Sequence, residues 1–525
     1  MPDKGQSPFK GMNDITISEN GVLKLLKNLN PYKASGPDQI STRFLRMCAS
    51  EINPVLTLLY QSSLNAGTVP SDWKEALVTP LFKNGDRTAA ANYRPVSLTS
   101  VVSKILEHII HSTIMKHLDN LKILTDCQHG FRSKRSCESQ LISTIQGISE
   151  KLKTGRDQVD IILLDFAKAF DKVPHRRLVY KLDYYGVRGM TLKWISSFLS
   201  SRSQQVMVEG CTSGKLDVLS GVPQGTVLGP LLFLIYINDL PESVKSSTVR
   251  LFADDSLLYR HVRNPTDADD LQRDLTALEQ WEHSWQMSFH PSKCTVLRIS
   301  TNRNNILKSN YTLHGHQLEV VDNSKHLGIT LSQDLSWRRH VETTAGKASK
   351  TLGFLRRNFR DCSKSVRETT YHSMVRPTLE YASAAWDPYK SEDINRLDKV
   401  QRRGARYVHN NYRDRNPGCV TNMIHELGWE TLQQCRKHHR LTIMYKTLNG
   451  LICIPEADNI LKKSDTRTRG SNRLRQTYTK AEVYNQSFFP RTIRDWNKLP
   501  TSVTDSTSLD DFKASLAAVA LNTAS

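Results

Sequence analysis

The run Val159-Asp-Ile-Ile-Leu-Leu-Asp-Phe166 constrains the fold of this chain more than any other stretch. It is short, aliphatic and bounded by charge, the pattern of a strand buried in a sheet. Asp165 closes it. A carboxylate at the end of a buried strand is costly unless it is paired or bound to a cation. A second acidic position lies downstream, where Thr248–Phe252 and Ser256–Tyr259 read as two strands joined at Ala253-Asp254-Asp255. Adjacent carboxylates in a tight turn repel each other, and a divalent ion offsets the repulsion. An Asp-Asp turn alone is common in hairpins. Two carboxylates from a turn and a third from a neighbouring strand make an oxygen-only donor set, which suits Mg²⁺.

The remaining pattern mixes helices and strands. A helix is expected at Gly21–Leu29, and a helical pattern from Ser41 to Leu64 follows the turn cluster Lys33–Ile40. Ala76–Phe82 is strand-like and leads through Lys83–Arg87 to Asn92–Leu98. Helical spacing recurs over 100–117, near 175–185 and 191–199, and over 268–286. Gln205–Val208 reads as a strand, Ser220–Thr226 as a loop and 227–239 as a buried helix. Thr295–Ile299 and His326–Leu331 read as further strands, and the chain is helical and basic from Val341 onward. Strands and helices do not alternate as βαβ units, so the class is α+β.

The 525 residues allow two to four lobes and ample core. The net charge of +20 favours a polyanionic partner such as nucleic acid. It is concentrated late: residues 401–440 hold eight Arg or Lys against three Asp or Glu, and 461–500 hold ten against three. A nucleic-acid surface and a merely solvated helical face account for this equally well. Nine cysteines without a CxxC pair argue for a reducing compartment. Cys435, His438, His439 and Cys453 match no familiar zinc-finger spacing, and ordinary solvated side chains explain them better. No signal-type segment and no run of about 18 apolar residues is present, so no membrane association is expected, and an intracellular site, nucleus or cytoplasm, is.

Several blocks together resemble the reverse transcriptases of non-LTR retrotransposons, in particular the jockey type. Ile161-Ile-Leu-Leu-Asp-Phe-Ala-Lys-Ala-Phe-Asp-Lys-Val-Pro-His175 is similar to polymerase motif A, Ser220-Gly-Val-Pro-Gln-Gly-Thr-Val-Leu-Gly-Pro-Leu-Leu-Phe233 to motif B, and Leu251-Phe-Ala-Asp-Asp-Ser256 to motif C. Asn92–Leu98, Gln128–Arg132, Pro291–Cys294 and His326–Ile329 with Leu335–Trp337 follow in the family's order. Val375–Tyr381 and Phe488–Pro500 resemble the tails of jockey-type elements. The resemblance implies a right-hand polymerase: a lead-in over 1–30, fingers over 31–160, palm with primer grip over 161–345, thumb over 346–420 and a helical basic region over 421–525.

It also implies roles. Asp165 and Asp254 would bridge two Mg²⁺ ions, with Mn²⁺ a possible substitute, and Asp255 would support them. Phe170 would be the steric gate against a ribose 2′-hydroxyl. Gln224 and Gly225 would lie beside the incoming nucleotide, and Gly225 would let backbone approach closely. Arg94 would reach the triphosphate, with Lys104 and Arg132 as weaker members of that group. Lys293 would be a general acid to pyrophosphate. His326–Leu331 would be the primer grip, and Lys350 and Arg356 would face phosphates while Leu352 and Leu355 pack inward. Tyr93, Trp337 and Trp386 fit core packing better than base stacking.

RNA template, DNA primer and dNTPs are the implied partners; the oligomeric state is unreadable. The chain begins only about 70 residues before the Trp73 block, which leaves no room for an upstream endonuclease, so a polymerase without target cleavage is expected. Two alternatives stay open. One is a non-catalytic nucleic-acid-binding remnant. The other is an RNA-dependent RNA polymerase, against which Ala253 stands where Gly is usual, while Asp171 beside Phe170 leaves a mild ambiguity.

Overall fold

The computed structural model describes residues 2–155, 157–300, 306–463 and 473–524, with side chains up to 519. Its strands are β1 Glu75–Phe82, β2 Tyr93–Leu98, β3 Gln158–Asp165, β4 Arg202–Val208, β5 Cys211–Thr212, β6 Leu216–Val218, β7 Thr248–Phe252, β8 Asp255–His261, β9 Thr295–Ser300, β10 Thr312–Leu313, β11 His316–Gln317, β12 Glu319–Val321, β13 Asn323–His326 and β14 Ile329–Ser332. The chain divides into two compact units. One comprises Met1–Phe131, Asp165–Lys245 and Asp274–Pro291; the other comprises Arg132–Leu164, Ser246–Arg273 and Ser292–Ser525. No helix among the described residues is long and apolar enough to cross a membrane.

In the first unit, β1 pairs antiparallel with β2 and parallel with β4, which in turn pairs antiparallel with β5 and β6. The helix Leu228–Ile237 is apolar on every side and is buried at every residue except Pro230, as a core helix must be. Its first amide groups need acceptors. Glu107, with no exposed surface, supplies them: its carboxylate accepts from the N–H of Val227 at 2.8 Å and of Leu228 at 3.2 Å. A negative charge is favoured at that end of a helix dipole. Beyond the other end, Lys181 donates to Asp239 at 2.5 Å and to the carbonyl of Tyr236.

In the second unit the sheet order is β12-β9-β3-β8-β7. β3 is interior because Val159, Ile161 and Ile162 are fully buried. Its buried carboxylate, Asp160, accepts from Tyr311 Oη at 2.7 Å and Gln158 Nε2 at 2.7 Å, and burial still raises its pKa. The N–H of Val262 donates to the carbonyl of Gln158 at 2.9 Å, so the end of β8 lies beside the start of β3 and the two strands are antiparallel. One apolar core runs from Leu141 and Ile161 of this sheet region through Leu352 and Leu355 to Phe488, Trp496 and Phe512. The helical C-terminal residues therefore build the same core as the sheet.

Several expectations are revised. The segment Ser41–Leu64 is two helices, Thr42–Met47 and Ala49–Ala66, parted at Cys48, whose φ of −95° and ψ of 24° leave the helical region. His326–Leu331 is not one strand. It is the turn of a two-residue hairpin, with His326 opposite Ile329 and with Leu327 and Gly328 at φ 45° and 85°. Positive φ at both central residues is the turn geometry that matches strand twist. The helix Cys137–Lys151 has no counterpart in the sequence reading. Finally, part of the late basic charge turns inward: Arg436 and Arg440 are buried and contact Asp387 at 2.7 Å and 2.9 Å, and Arg491 joins them at 3.2 Å. Within the other basic stretch, residues 464–472 lie outside the described residues.

Candidate active site

In the second unit, β7 and β8 form a hairpin whose register pairs Phe252 with Asp255, leaving Ala253 and Asp254 as the loop. Leu251 and Leu257 are fully buried and anchor the hairpin in the core, whereas Asp254 and Asp255 are exposed at its tip. Ala253 takes φ 52° and is buried. A side chain in the left-handed region costs about 1 kcal/mol or more, so strain is stored directly beside the aspartate pair. β3, the sheet neighbour of β8, ends at Asp165. Lys293 is exposed at the close of the short 3-10 turn Pro291–Lys293, just before β9. Among the described residues, no group of three or more His, Cys, Asp or Glu side chains is gathered for a metal ion. That applies equally to Cys435, His438, His439 and Cys453: His439 pairs with Glu138 at 2.9 Å and His438 with Glu430 at 3.3 Å. For the aspartates the donor chemistry is nevertheless that of a hard cation. Mg²⁺ is commonly held by one or two carboxylates together with substrate phosphates and water rather than by a complete protein cage.

In the first unit, Asp165 is half-buried and its carbonyl accepts from the N–H of His290 at 2.7 Å. Phe166 pairs with Phe289 across an isolated bridge, with ring centroids 4.4 Å apart. Phe170 sits in the 3-10 turn Ala169–Asp171. Its ring stacks on Phe233 of the buried helix at 4.4 Å and meets the edge of Phe131 at 6.4 Å. An aromatic gripped on two sides is a rigid wall, whatever it faces.

The Ser220–Thr226 loop is laced to that turn. The N–H of Val222 donates to the carbonyl of Phe170 at 2.7 Å, and the N–H of Gly221 to that of Val173 at 2.9 Å. Gln224 Nε2 donates to Asp171 Oδ1 at 2.9 Å. Gly225 has φ 89°, and a Cβ there would lie 2.3 Å from the carbonyl oxygen of Ser97. The backbone approach that this glycine permits in the structure is therefore to strand β2. Arg94 is exposed three residues earlier on the same strand. Phe170, Gln224, Gly225 and the strand bearing Arg94 are thus held in one assembly.

Two residues carry more than the sequence indicates. Glu107 roots the helix that follows the loop, and Asp171 holds Gln224. Neither has a local signature, because both act on residues far away in the chain. Trp386 is fully buried, as core packing requires, and Tyr93 packs against Phe82 at 5.4 Å. Leu352 and Leu355 face the core and Lys350 is exposed, while Arg356 lies over the ring of Tyr412 at 4.3 Å.

The second unit thus presents a mixed five-stranded sheet with an Asp-Asp pair exposed at the tip of its β7–β8 hairpin. Residues 82–331 match the family described as reverse transcriptase (RNA-dependent DNA polymerase). The chain's homologues are polymerases of non-LTR retrotransposons. It is 27% identical over 419 residues to the RNA-directed DNA polymerase from mobile element jockey of Drosophila melanogaster, covering 77% of this chain and 45% of that protein. It is 26% identical over 447 residues to the probable RNA-directed DNA polymerase from transposon BS of the same species, covering 80% and 48%. For the transposon X-element polymerase, also of that species, the figures are 26% over 405 residues, covering 74% and 43%. The chain spans less than half the length of these curated relatives.

Proposed function

We propose that this chain extends a primer 3′-hydroxyl with dNTPs on an RNA template, as the polymerase of a non-LTR retrotransposon. The observation that carries the reading is the sheet order: β3, closing on Asp165, neighbours β8, which opens on Asp255. Asp165 and Asp254 would hold two Mg²⁺ ions, with Asp255 in support. Bound there, the ions would neutralise triphosphate charge and make the 3′-hydroxyl more acidic. The chain's own residues do the positioning that phosphoryl transfer chiefly requires. The guanidinium of Arg94 orients phosphate oxygens. Phe170, braced on Phe233, closes the space beside the sugar, and Gln224 offers a hydrogen-bonding amide. Lys293 Nζ holds a proton for the departing pyrophosphate. Fingers over 31–160, palm over 161–345, thumb over 346–420 and a basic region over 421–525 are the corresponding functional divisions.

The test is primer extension on a poly(A) template with Mg²⁺, comparing the intact chain with Asp254→Asn. Incorporation should fall by at least about 100-fold in the variant, the scale of losing a principal electrostatic group. Equal incorporation by both proteins, or none by either, would overturn the reading. In the same assay Phe170→Ala should admit rNTPs that the intact chain rejects.

A further inference from the structure

The turn Ala169–Asp171 and the loop Ser220–Thr226 are joined mainly through backbone. Besides the two backbone bonds described above, Ser220 Oγ donates to the carbonyl of Asp171 at 2.9 Å. Gly221, at φ 89°, presses so close that a Cβ would lie 2.6 Å from that same oxygen. These contacts fix where both segments run. None of them decides which way a side chain faces. The bond from Gln224 Nε2 to Asp171 Oδ1 does.

A glutamine amide has a donor end and an acceptor end, and an unconstrained one can present either. An ionised carboxylate only accepts. Asp171 therefore admits only the Nε2 end, which leaves Oε1 directed away from it. The backbone of Asp171 cannot drift, because it follows the braced Phe170 and is pinned by Ser220 and Gly221. The result is an acceptor oxygen held in a fixed direction two residues into the Pro223-Gln224-Gly225 segment.

We infer that Asp171 is a positioning residue that locks the Gln224 amide so that its carbonyl oxygen accepts a hydrogen from the incoming nucleotide. The inference rests on the polymerase reading above. It gives Asp171 a task on the protein side, in place of direct contact with a ribose hydroxyl. The bond is at the surface, and exposed charge-assisted contacts add little to folding. Its effect belongs in nucleotide affinity, since an amide free to flip offers the wrong end part of the time.

The experiment is steady-state dNTP incorporation by the full chain and three variants: Asp171→Asn, Gln224→Glu and the double substitution. In Asp171→Asn the new side-chain amide could pair with either end of Gln224, so the lock is lost. KM for dNTP should rise about tenfold, the scale of one mispresented hydrogen bond, with kcat within about threefold. Gln224→Glu sets two carboxylates together and should be worse. In the double variant the introduced asparagine amide donates to the introduced glutamate, whose other oxygen remains an outward acceptor at unchanged net charge. KM should then return to within about threefold of the original. Thermal melting should not move in Asp171→Asn. An unchanged KM in Asp171→Asn, a loss confined to kcat, altered rNTP use with unchanged dNTP use, or additive effects in the double variant would each overturn the inference while leaving polymerase activity standing. Absence of incorporation by the intact chain would instead remove the reading beneath it.

Discussion

Ala253 shows how a single residue can carry conformational cost at a site. At φ 52° and buried, it bends the hairpin so that Asp254 occupies the tip. Glycine accepts that geometry but loses more entropy on folding, so the two effects nearly cancel. Ala253→Gly should alter stability by no more than about 0.5 kcal/mol. Ala253→Val adds a β-branched side chain in the left-handed region and should cost about 2 kcal/mol. Denaturant titration distinguishes them, and primer extension should track the Val loss. Two buried histidines set the acid limit. Burial lowers both His326 and His340 to about 4 from 6.5. The unfolded chain then binds more protons than the folded one between pH 6.5 and 4, so stability is complete above that window and falls as pH drops through it. The loss is on the order of 3 kcal/mol per histidine at the acid end. Melting temperature against pH should decline below 6.5, and His326→Gln should flatten the decline.

At the scale of elements, the Asp387 cluster ties three segments together. Arg436 and Arg440 come from the helix Leu432–Leu448, Arg491 from Phe488–Trp496, and Arg440 also reaches Asp495 at 2.8 Å. Removing the shared carboxylate takes from the buried Arg436 guanidinium its Asp387 partner and leaves Arg440 only Asp495. Asp387→Asn should cost about 3–5 kcal/mol, read by denaturant unfolding of the full chain. Elements of this kind also mark where the sequence was legible. β3 and the β7–β8 hairpin were, because aliphatic runs punctuated by charge leave few alternatives. The carboxylates at their ends were legible for the same reason, although their roles came from resemblance. The helix Cys137–Lys151 was not: Ser139, Gln140, Ser143, Thr144, Gln146 and Ser149 are buried in it, so no apolar stripe marks its face. The β13–β14 turn was hidden because Leu327, a residue with no turn preference, takes φ 45°. The Gln224–Asp171 bond joins residues 53 apart, a distance no local pattern encodes.

For the whole molecule, the charge of +20 is not one uniform surface. Arg436 and Arg440 balance buried acids, while Lys399, Arg402 and Arg403 are exposed along the helix Ser391–His409. Only the exposed group can release counterions from a nucleic acid. The two sets should therefore separate in experiment. Replacing Arg402 and Arg403 by Gln should lower the slope of log affinity against log salt by about 1–2 for single-stranded RNA, with melting unchanged. Replacing Arg436 by Gln should lower melting and leave the slope of the folded fraction as it was. Filter binding across a salt series, paired with thermal melts, reads both quantities. If the Arg402 and Arg403 substitutions left the slope unmoved, that helix would be a solvated face, and the polyanion contact would have to lie with other exposed cations such as Lys350 and Arg357 of the helix Arg338–Asn358.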